Sequence, residues 1–403
     1  MKINVPCCHT AEIGRLFAAI GEPVRFVGGC VRDTLKGNQV KDIDLASPAR
    51  PEVVLEAAEA VGYRVIPTGL QHGTVTVVID GEGYEITTLR ADVETDGRHA
   101  TVDFVRDFET DAARRDFTFN AMSADLDGTV HDYFGGVNDL QQRRVMFVGK
   151  MDDRVTEDYL RILRFFRFRA RYGGSEPRGY VEGLAKHVGG MQRISGERIW
   201  SELSKIITAE YTAWPSVRAM NIIGLLRASD LVIDEGDPNL RIALQLTRFA
   251  SNRPAAMLGM IVRDRQALDV AVERWRLSTA ERTLAQNVFD IRRTESSERD
   301  RTDTEMYEPH FWIDKAVDGQ PIEDIRTALY LLGHELLADT LPATLPIFPV
   351  KGQDLLDRGM RPGKDVGMKL RELKDAWKAS RYTLDADDLL SEPAPTVTRG
   401  LQP

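Results

Sequence analysis

Asp42 and Asp44 stand two residues apart in Lys41-Asp42-Ile43-Asp44-Leu45. The segment ends in a β-like run, and on a strand two such residues face the same side, so both carboxylates converge. Hard oxygen ligands in that arrangement suit Mg²⁺, which keeps several waters and takes its remaining ligands from substrate phosphates. Two such ions about 4 Å apart can activate an attacking hydroxyl and stabilise the leaving oxygen. Upstream lies Gly28-Gly29-Cys30-Val31-Arg32-Asp33. Gly28 and Gly29 let backbone N–H groups approach an anion such as a triphosphate, and Arg32 adds a cationic fork just inside the helix that follows. Either motif alone is weak, since Asp-x-Asp is usually a solvated loop; together they point to metal-dependent nucleotidyl transfer. Glu85, in Tyr84-Glu85-Ile86-Thr87-Thr88, either supplies a third carboxylate to the metals or is an exposed polar position on an alternating strand.

These side chains need a scaffold. Val24 to Val27 reads as a short strand running into the glycine pair, Val31 to Leu35 as the helix after it, and Val75 to Ile79 as an apolar strand. Residues 1–150 alternate strand and helix patterns and hold the motifs above. From 151 onward the pattern is helical: Val155 to Tyr172, a Gly/Pro-rich break from Gly173 to Gly179, and a helix after Ile194-Ser195. Ser195 is the expected N-cap there, with Ile199, Trp200, Leu203 and Ile206 as its apolar stripe. Arg293 to Asp303 lacks apolar periodicity and is the expected linker. In the last helical module Pro362 is placed in the first turn of a helix whose Val366, Leu370, Leu373 and Trp377 recur at helical spacing. Glu392 onward is Pro-rich and expected to be disordered.

The chain has 403 residues, enough for two to four modules. Its formal charge of −9 argues against general polyanion binding, so any nucleic-acid surface must be locally basic. Lys351 to Arg381 is such a region, with nine Lys/Arg against five Asp/Glu; Lys351, and Lys364 at a helix entrance, are its candidate phosphate contacts. Three cysteines form neither a disulfide framework nor a zinc pattern, and adjacent Cys7 and Cys8 would chelate one ion poorly. The expectation is a cytoplasmic protein with no signal peptide and no membrane span.

Five segments resemble the tRNA nucleotidyltransferase and poly(A) polymerase family, specifically its class II CCA-adding branch. They are GGCVRDTLKG with KDIDLA (28–46), TLRADVETDGRHATVDF (88–104), RRDFTFNAM (114–122), EDYLRILRFFRF (157–168), and FPVKGQDLL with RPGKDVGMKL (348–370). The resemblance implies an α+β protein: a polymerase beta-like nucleotidyltransferase head with a mixed sheet (1–150), then an all-helical neck (151–210), body (211–300) and tRNA-binding tail (301–390). It implies template-independent addition of CMP, CMP and AMP to the tRNA 3′ end from CTP and ATP, with two Mg²⁺ ions. In such a protein Arg114, Arg115, Asp116 and Asn120 help hold the nucleotide: Arg115 at the triphosphate, Asp116 at a ribose hydroxyl, Asn120 capping or bracing the turn, and Arg114 either a further contact or merely solvated. A loop within Asp92 to Asp103, with Arg98 as candidate lever, would govern the switch from C to A.

Asp158 and Arg161, three apart in a helical run, should emerge on one face. Their acceptor and donors match the Watson–Crick edges of cytosine and adenine, whereas uracil and guanine present the reverse order. Arg164 and Arg167 either extend the positive charge along that face or form an i, i+4 surface stripe paired with Glu157 and Asp158, and Phe165, Phe166 and Phe168 are assigned to helix core. A poly(A) polymerase, an enzyme adding only CC or only A, and an inactive tRNA-binding relative remain alternatives.

Overall fold

The computed structural model describes residues 1–70, 73–95, 100–172, 174–209, 213–250, 253–299 and 305–391. The chain forms two compact units, Met1–Gly236 with Arg263–Leu277, and Asp237–Val262 with Ser278–Pro403. The expected head and neck both lie in the first unit.

That unit is built on a seven-stranded sheet. Its strands are β1 (Arg25–Val27), β2 (Asp44–Ser47), β3 (Arg64–Gly69), β4 (Thr74–Ile79), β5 (Glu82–Thr88), β8 (Ser123–Asp125) and β9 (Val130–His131), in the spatial order β3-β4-β5-β2-β1-β8-β9. The β2–β5 pair is parallel and the others are antiparallel, which makes the expected mixed sheet. Strict alternation along β4 buries Val75, Val77 and Ile79 on one face. Helices α1 (Thr10–Ile20), α2 (Gly29–Lys36) and α3 (Pro51–Ala60) accompany the sheet, with α3 packed on β3 and β4.

Between β5 and β8, strands β6 (Arg90–Thr95) and β7 (Ala100–Phe104) pair, among the described residues, only with each other, as an antiparallel ribbon. Much of the expected loop at 92–103 is therefore strand, because each arm finds its backbone partners in the other. Arg98 lies outside the described residues.

Six further helices complete the part of this unit that carries the motifs: α4 (Phe108–Ala113), α5 (Gly136–Gln141), α6 (Met151–Glu157), α7 (Leu160–Tyr172), α8 (Tyr180–Gly183) and α9 (Gly196–Ile207). Phe165, Phe166 and Phe168 are buried as expected, in an aromatic cluster with Phe117, Phe119 and Phe147. Ser195 occupies the N-cap of α9, although its side chain makes no capping bond, and Ile199, Trp200, Leu203 and Ile206 are buried.

The second unit is helical among its described residues. Residues 293–299, expected in a linker, are the end of the helix Thr279–Arg299. The reason is tertiary: Arg292 and Glu295 are buried although charged, and Arg292 donates from Nη2 to the Val262 carbonyl at 2.7 Å. Gly259 allows that helix to come close, since a Cβ there would lie 2.3 Å from the Ala285 carbonyl oxygen. Pro362 precedes the helix Lys364–Ala379 instead of entering its first turn. Leu373 and Trp377 of that helix join Val350, Leu355 and Leu389 in a small core, with Val366 and Leu370 at its edge. No helix among the described residues is long and apolar enough to cross a membrane. Glu392 onward lies outside the described residues.

Candidate active site

Gly28 follows β1 with φ +69°, a left-handed conformation that suits glycine, and a Cβ there would lie 2.8 Å from Arg115 Nη1. Helix α2 starts at Gly29, so its N-terminal N–H groups open beside the end of β1. β2 runs antiparallel to β1 and begins at Asp44. Asp42 lies before that strand and is exposed, which removes the period-two argument for its orientation. Its charge nevertheless reaches Asp44. Burial first, then Glu85, then Asp42 push the Asp44 carboxyl above its ordinary value, with Arg115 opposing them. Glu85 is the direct register partner of Asp44 across the parallel β2–β5 pair. Glu85 is an exposed polar position on the alternating strand β5, and at the same time it stands beside Asp44.

Asp44 and Glu85 lie in a cleft of about 1200 Å³, also lined by Gly28, Gly29, Arg32, Arg114, Arg115, Asp116, Asn120, Asp158, Arg161, Arg164 and Arg167. The expected nucleotide-binding residues thus come together in one place. Adding Lys41, Arg90, Arg171 and Lys205 to the lining gives ten Lys/Arg against four Asp/Glu, Asp44, Glu85, Asp116 and Asp158. In a chain of net charge −9 this concentrates positive potential where a polyanion would enter.

Arg32, Arg114, Arg115, Arg161, Arg164 and Arg167 are each held by an acid. Arg32 donates from Nη2 to Asp33 Oδ2 at 2.7 Å and from Nη1 to Asn120 Oδ1 at 2.6 Å, and its plane lies near the Phe168 and Tyr172 rings. Arg114 and Arg115 share Asp111, so Arg114 is not merely solvated. Arg164 donates from Nε to Asp116 Oδ2 at 2.7 Å, and Arg167 donates to Glu202 Oε1 at 3.1 Å while stacking on Phe168. Asp116 also accepts from Asn120 Nδ2 and the Phe117 N–H. Burial works against its charge, but the Arg164 guanidinium and these two donors hold the carboxyl below its ordinary range. Asp116 is thus an organiser of the turn as well as a cleft residue, and Asn120 braces both Arg32 and Asp116.

Asp158 departs from expectation. It is no part of a helical run: its φ of −152° and ψ of 107° break the chain between α6 and α7. Its carboxylate instead accepts from the Leu160 N–H at 3.1 Å and from Arg198 Nη2 at 2.8 Å. A side-chain acceptor satisfies an orphan N–H at a helix start, which favours extended backbone at the capping residue. Arg161 sits in α7 and donates to Glu157 Oε2 at 2.6 Å. Both line the same cleft, each fixed by a separate partner.

Asp111, Arg198 and Glu202 carry no role in the sequence expectations; Asp33 enters them only within the glycine motif and Glu157 only within the 157–168 segment, as a surface partner of Arg164 and Arg167. Asp111 and Glu157 stand at helical spacing from Arg114, Arg115 and Arg161, a legible signal. Glu202 meets Arg167 across 35 residues, and no local pattern announces it.

Among the described residues no three His, Cys, Asp or Glu side chains cluster closely enough to enclose an ion. Carboxylate oxygens in an open setting, with accumulated negative charge at Asp44, fit Mg²⁺, which retains waters and substrate oxygens in its shell. The expected tail contacts Lys351 and Lys364 are exposed, at the N-terminal ends of the helices Gly352–Asp357 and Lys364–Ala379.

Residues 24–146 match the model of the poly(A) polymerase head domain. The chain is 37% identical over 373 residues to the mitochondrial CCA tRNA nucleotidyltransferase 1 of Danio rerio, covering 91% of this chain and 86% of that one. It is 30% identical over 378 residues to a CCA-adding enzyme of Streptococcus pyogenes, covering 91% of each. It superposes on the Bacillus stearothermophilus CCA-adding enzyme in complex with CTP with a TM-score of 0.70 at 26% identity, covering 93% of each chain.

Proposed function

Because the chain belongs to the tRNA nucleotidyltransferase family that includes the CCA-adding enzymes, we propose that it adds CMP, CMP and AMP to the 3′ end of tRNA, using CTP and ATP and releasing pyrophosphate. The observation that carries this reading is the single cleft in which Asp44 and Glu85, the glycine turn, the acid-held arginines and the Asp158/Arg161 pair are all present.

Asp42 and Asp44, with Glu85 beside them, would hold Mg²⁺. When bound, it polarises the α-phosphate and favours ionisation of the primer hydroxyl. The Gly28-Gly29 turn and the N-terminus of α2 present N–H groups to the triphosphate, with Arg115 as its closest cationic fork and Arg32 and Arg114 beside it. Asp158 accepts from the exocyclic amine of C or A, and Arg161 donates to the adjacent ring nitrogen. Uracil and guanine would leave both groups opposed and unpaired, costing a few kcal/mol. Arg198 and Glu157 keep the two readers apart and oriented before any base arrives.

Lys351 and Lys364 contact tRNA phosphates in this reading. The head, neck, body and tail divisions expected from the sequence remain part of it, as does Asp92 to Asp103 as the determinant of the step from C to A. Three free cysteines accord with a reducing compartment such as the cytoplasm.

The test is incubation with tRNA lacking its last three, two or one nucleotides, with each nucleoside triphosphate supplied separately. Ordered addition of C, C and A carries the reading. AMP polymerisation alone, or a stop at CC, assigns the chain to one of its partial or poly(A)-forming relatives.

A further inference from the structure

Arg114 and Arg115 follow the end of α4, and the residue one helical turn before them is Asp111. Its side chain is 5% exposed. Oδ1 accepts from Arg114 Nε at 3.0 Å and from the backbone N–H of Arg90 at 3.2 Å, and Oδ2 accepts from Arg115 Nη2 at 3.4 Å. Arg90 is the first residue of β6. One buried carboxylate therefore joins two guanidinium groups of the cleft to the root of the β6–β7 ribbon. Arg115 is confined from its other side as well, donating from Nη1 to the Asn120 carbonyl at 3.4 Å and closing against Gly28.

We propose that Asp111 is a positioning residue for the transfer reaction, aiming Arg114 and Arg115 at the triphosphate and fastening the ribbon root to the same pair. The proposal rests on the reading of those two arginines as triphosphate ligands. A free arginine loses much side-chain entropy when it captures a phosphate, and a guanidinium already held by a buried acid has met that cost before the nucleotide arrives. Binding therefore gains, while the reacting atoms, which Asp111 does not touch, are unaffected.

The experiment compares Asp111→Asn, Asp111→Ala, Arg114→Ala and Arg115→Ala with the unaltered protein. It measures equilibrium binding of CTP and of ATP, KM and kcat with tRNA primers, thermal unfolding, and hydrogen exchange at the Arg90 amide. Asparagine keeps one carbonyl oxygen for the Arg90 N–H but loses the charge facing the arginines. We expect Asp111→Asn to raise Kd and KM for both nucleotides about tenfold, with kcat largely retained and the Arg90 amide still protected. Asp111→Ala should match that loss and also expose the Arg90 amide to exchange.

If Asp111→Asn binds both nucleotides normally while Arg115→Ala does not, Asp111 is a fold residue only and the proposal fails. A lowered unfolding temperature with unchanged KM overturns it in the same way. If neither arginine variant weakens binding, the triphosphate reading itself fails, and the proposal with it. Should Asp111→Ala fail to fold, the asparagine variant still decides the matter.

Discussion

Asp44 on β2 and Glu85 on β5 are direct register partners across the one parallel pairing in the seven-stranded sheet. Residues in register on parallel strands project to the same face. After burial, Glu85 is the largest influence raising the Asp44 carboxyl. Glu85 is exposed and Arg115 offsets part of the repulsion, so the pair offers carboxylate oxygens that the metal of the proposed reaction would neutralise.

Asp42→Asn and Asp44→Asn should each lower nucleotide incorporation by at least about a hundredfold, since even partners of metal ligands are commonly worth about 10- to 100-fold. tRNA affinity should stay near that of the unaltered protein, measured by filter binding. Near-normal turnover in either variant removes the metal assignment.

Glu85→Gln separates a ligand from a bystander. If Glu85 contacts Mg²⁺, the variant loses about tenfold or more in kcat and needs more Mg²⁺ for half-maximal rate. An unchanged Mg²⁺ titration would leave Glu85 as an electrostatic neighbour of Asp44.

For base choice, Asp158→Ala and Arg161→Ala should cut CTP and ATP use by about tenfold or more and narrow the margin over UTP and GTP. Arg198→Ala, which removes one of the two donors to the Asp158 carboxylate, should act in the same direction more weakly. Misincorporation assays with all four nucleotides check this, and intact discrimination in the first two variants would assign base reading elsewhere.

Asp116→Asn tests the buried pair with Arg164. Removing one member of a buried ion pair costs about 3 kcal/mol or more, because the other charge stays uncompensated. The folded Asp116 carboxyl is held below its ordinary 3.8. Its stabilisation is therefore present above that pH and is lost as pH falls through the folded value. Unfolding midpoints should show a deficit for the variant at neutral pH that narrows at pH values below the ordinary 3.8; a deficit independent of pH would mean that charge is not its source.

In the second unit, Lys351→Ala and Lys364→Ala should weaken tRNA binding and reduce the slope of log affinity against log salt by about 1 each, with CTP affinity unchanged. Point substitutions are cleaner than truncation before Lys351, which would strip Leu355, Leu373, Trp377 and Leu389 from the core they share with Val350. Unaltered salt dependence in both variants would place the tRNA contacts elsewhere.

Local signals were enough for much of this protein. The glycine turn and its helix, the alternating strand at 74–79, the apolar stripe of α9 and the break after Tyr172 all rest on interactions within a few residues, where periodicity and backbone freedom speak directly. The charged motifs and the family they resemble likewise named most of the cleft lining. Tertiary structure decided what those motif residues do for one another. It broke the chain at Asp158, because a carboxylate that caps α7 and meets Arg198 is better satisfied in extended backbone. It carried the helix through residues 293–299, because Arg292 just before them and Glu295 among them are buried. It also brought Glu85 beside Asp44 and Glu202 beside Arg167. Hydrophobic and turn preferences are written residue by residue, whereas the partner of a buried charge is whichever opposite charge the packed chain delivers to it, and that depends on the whole fold.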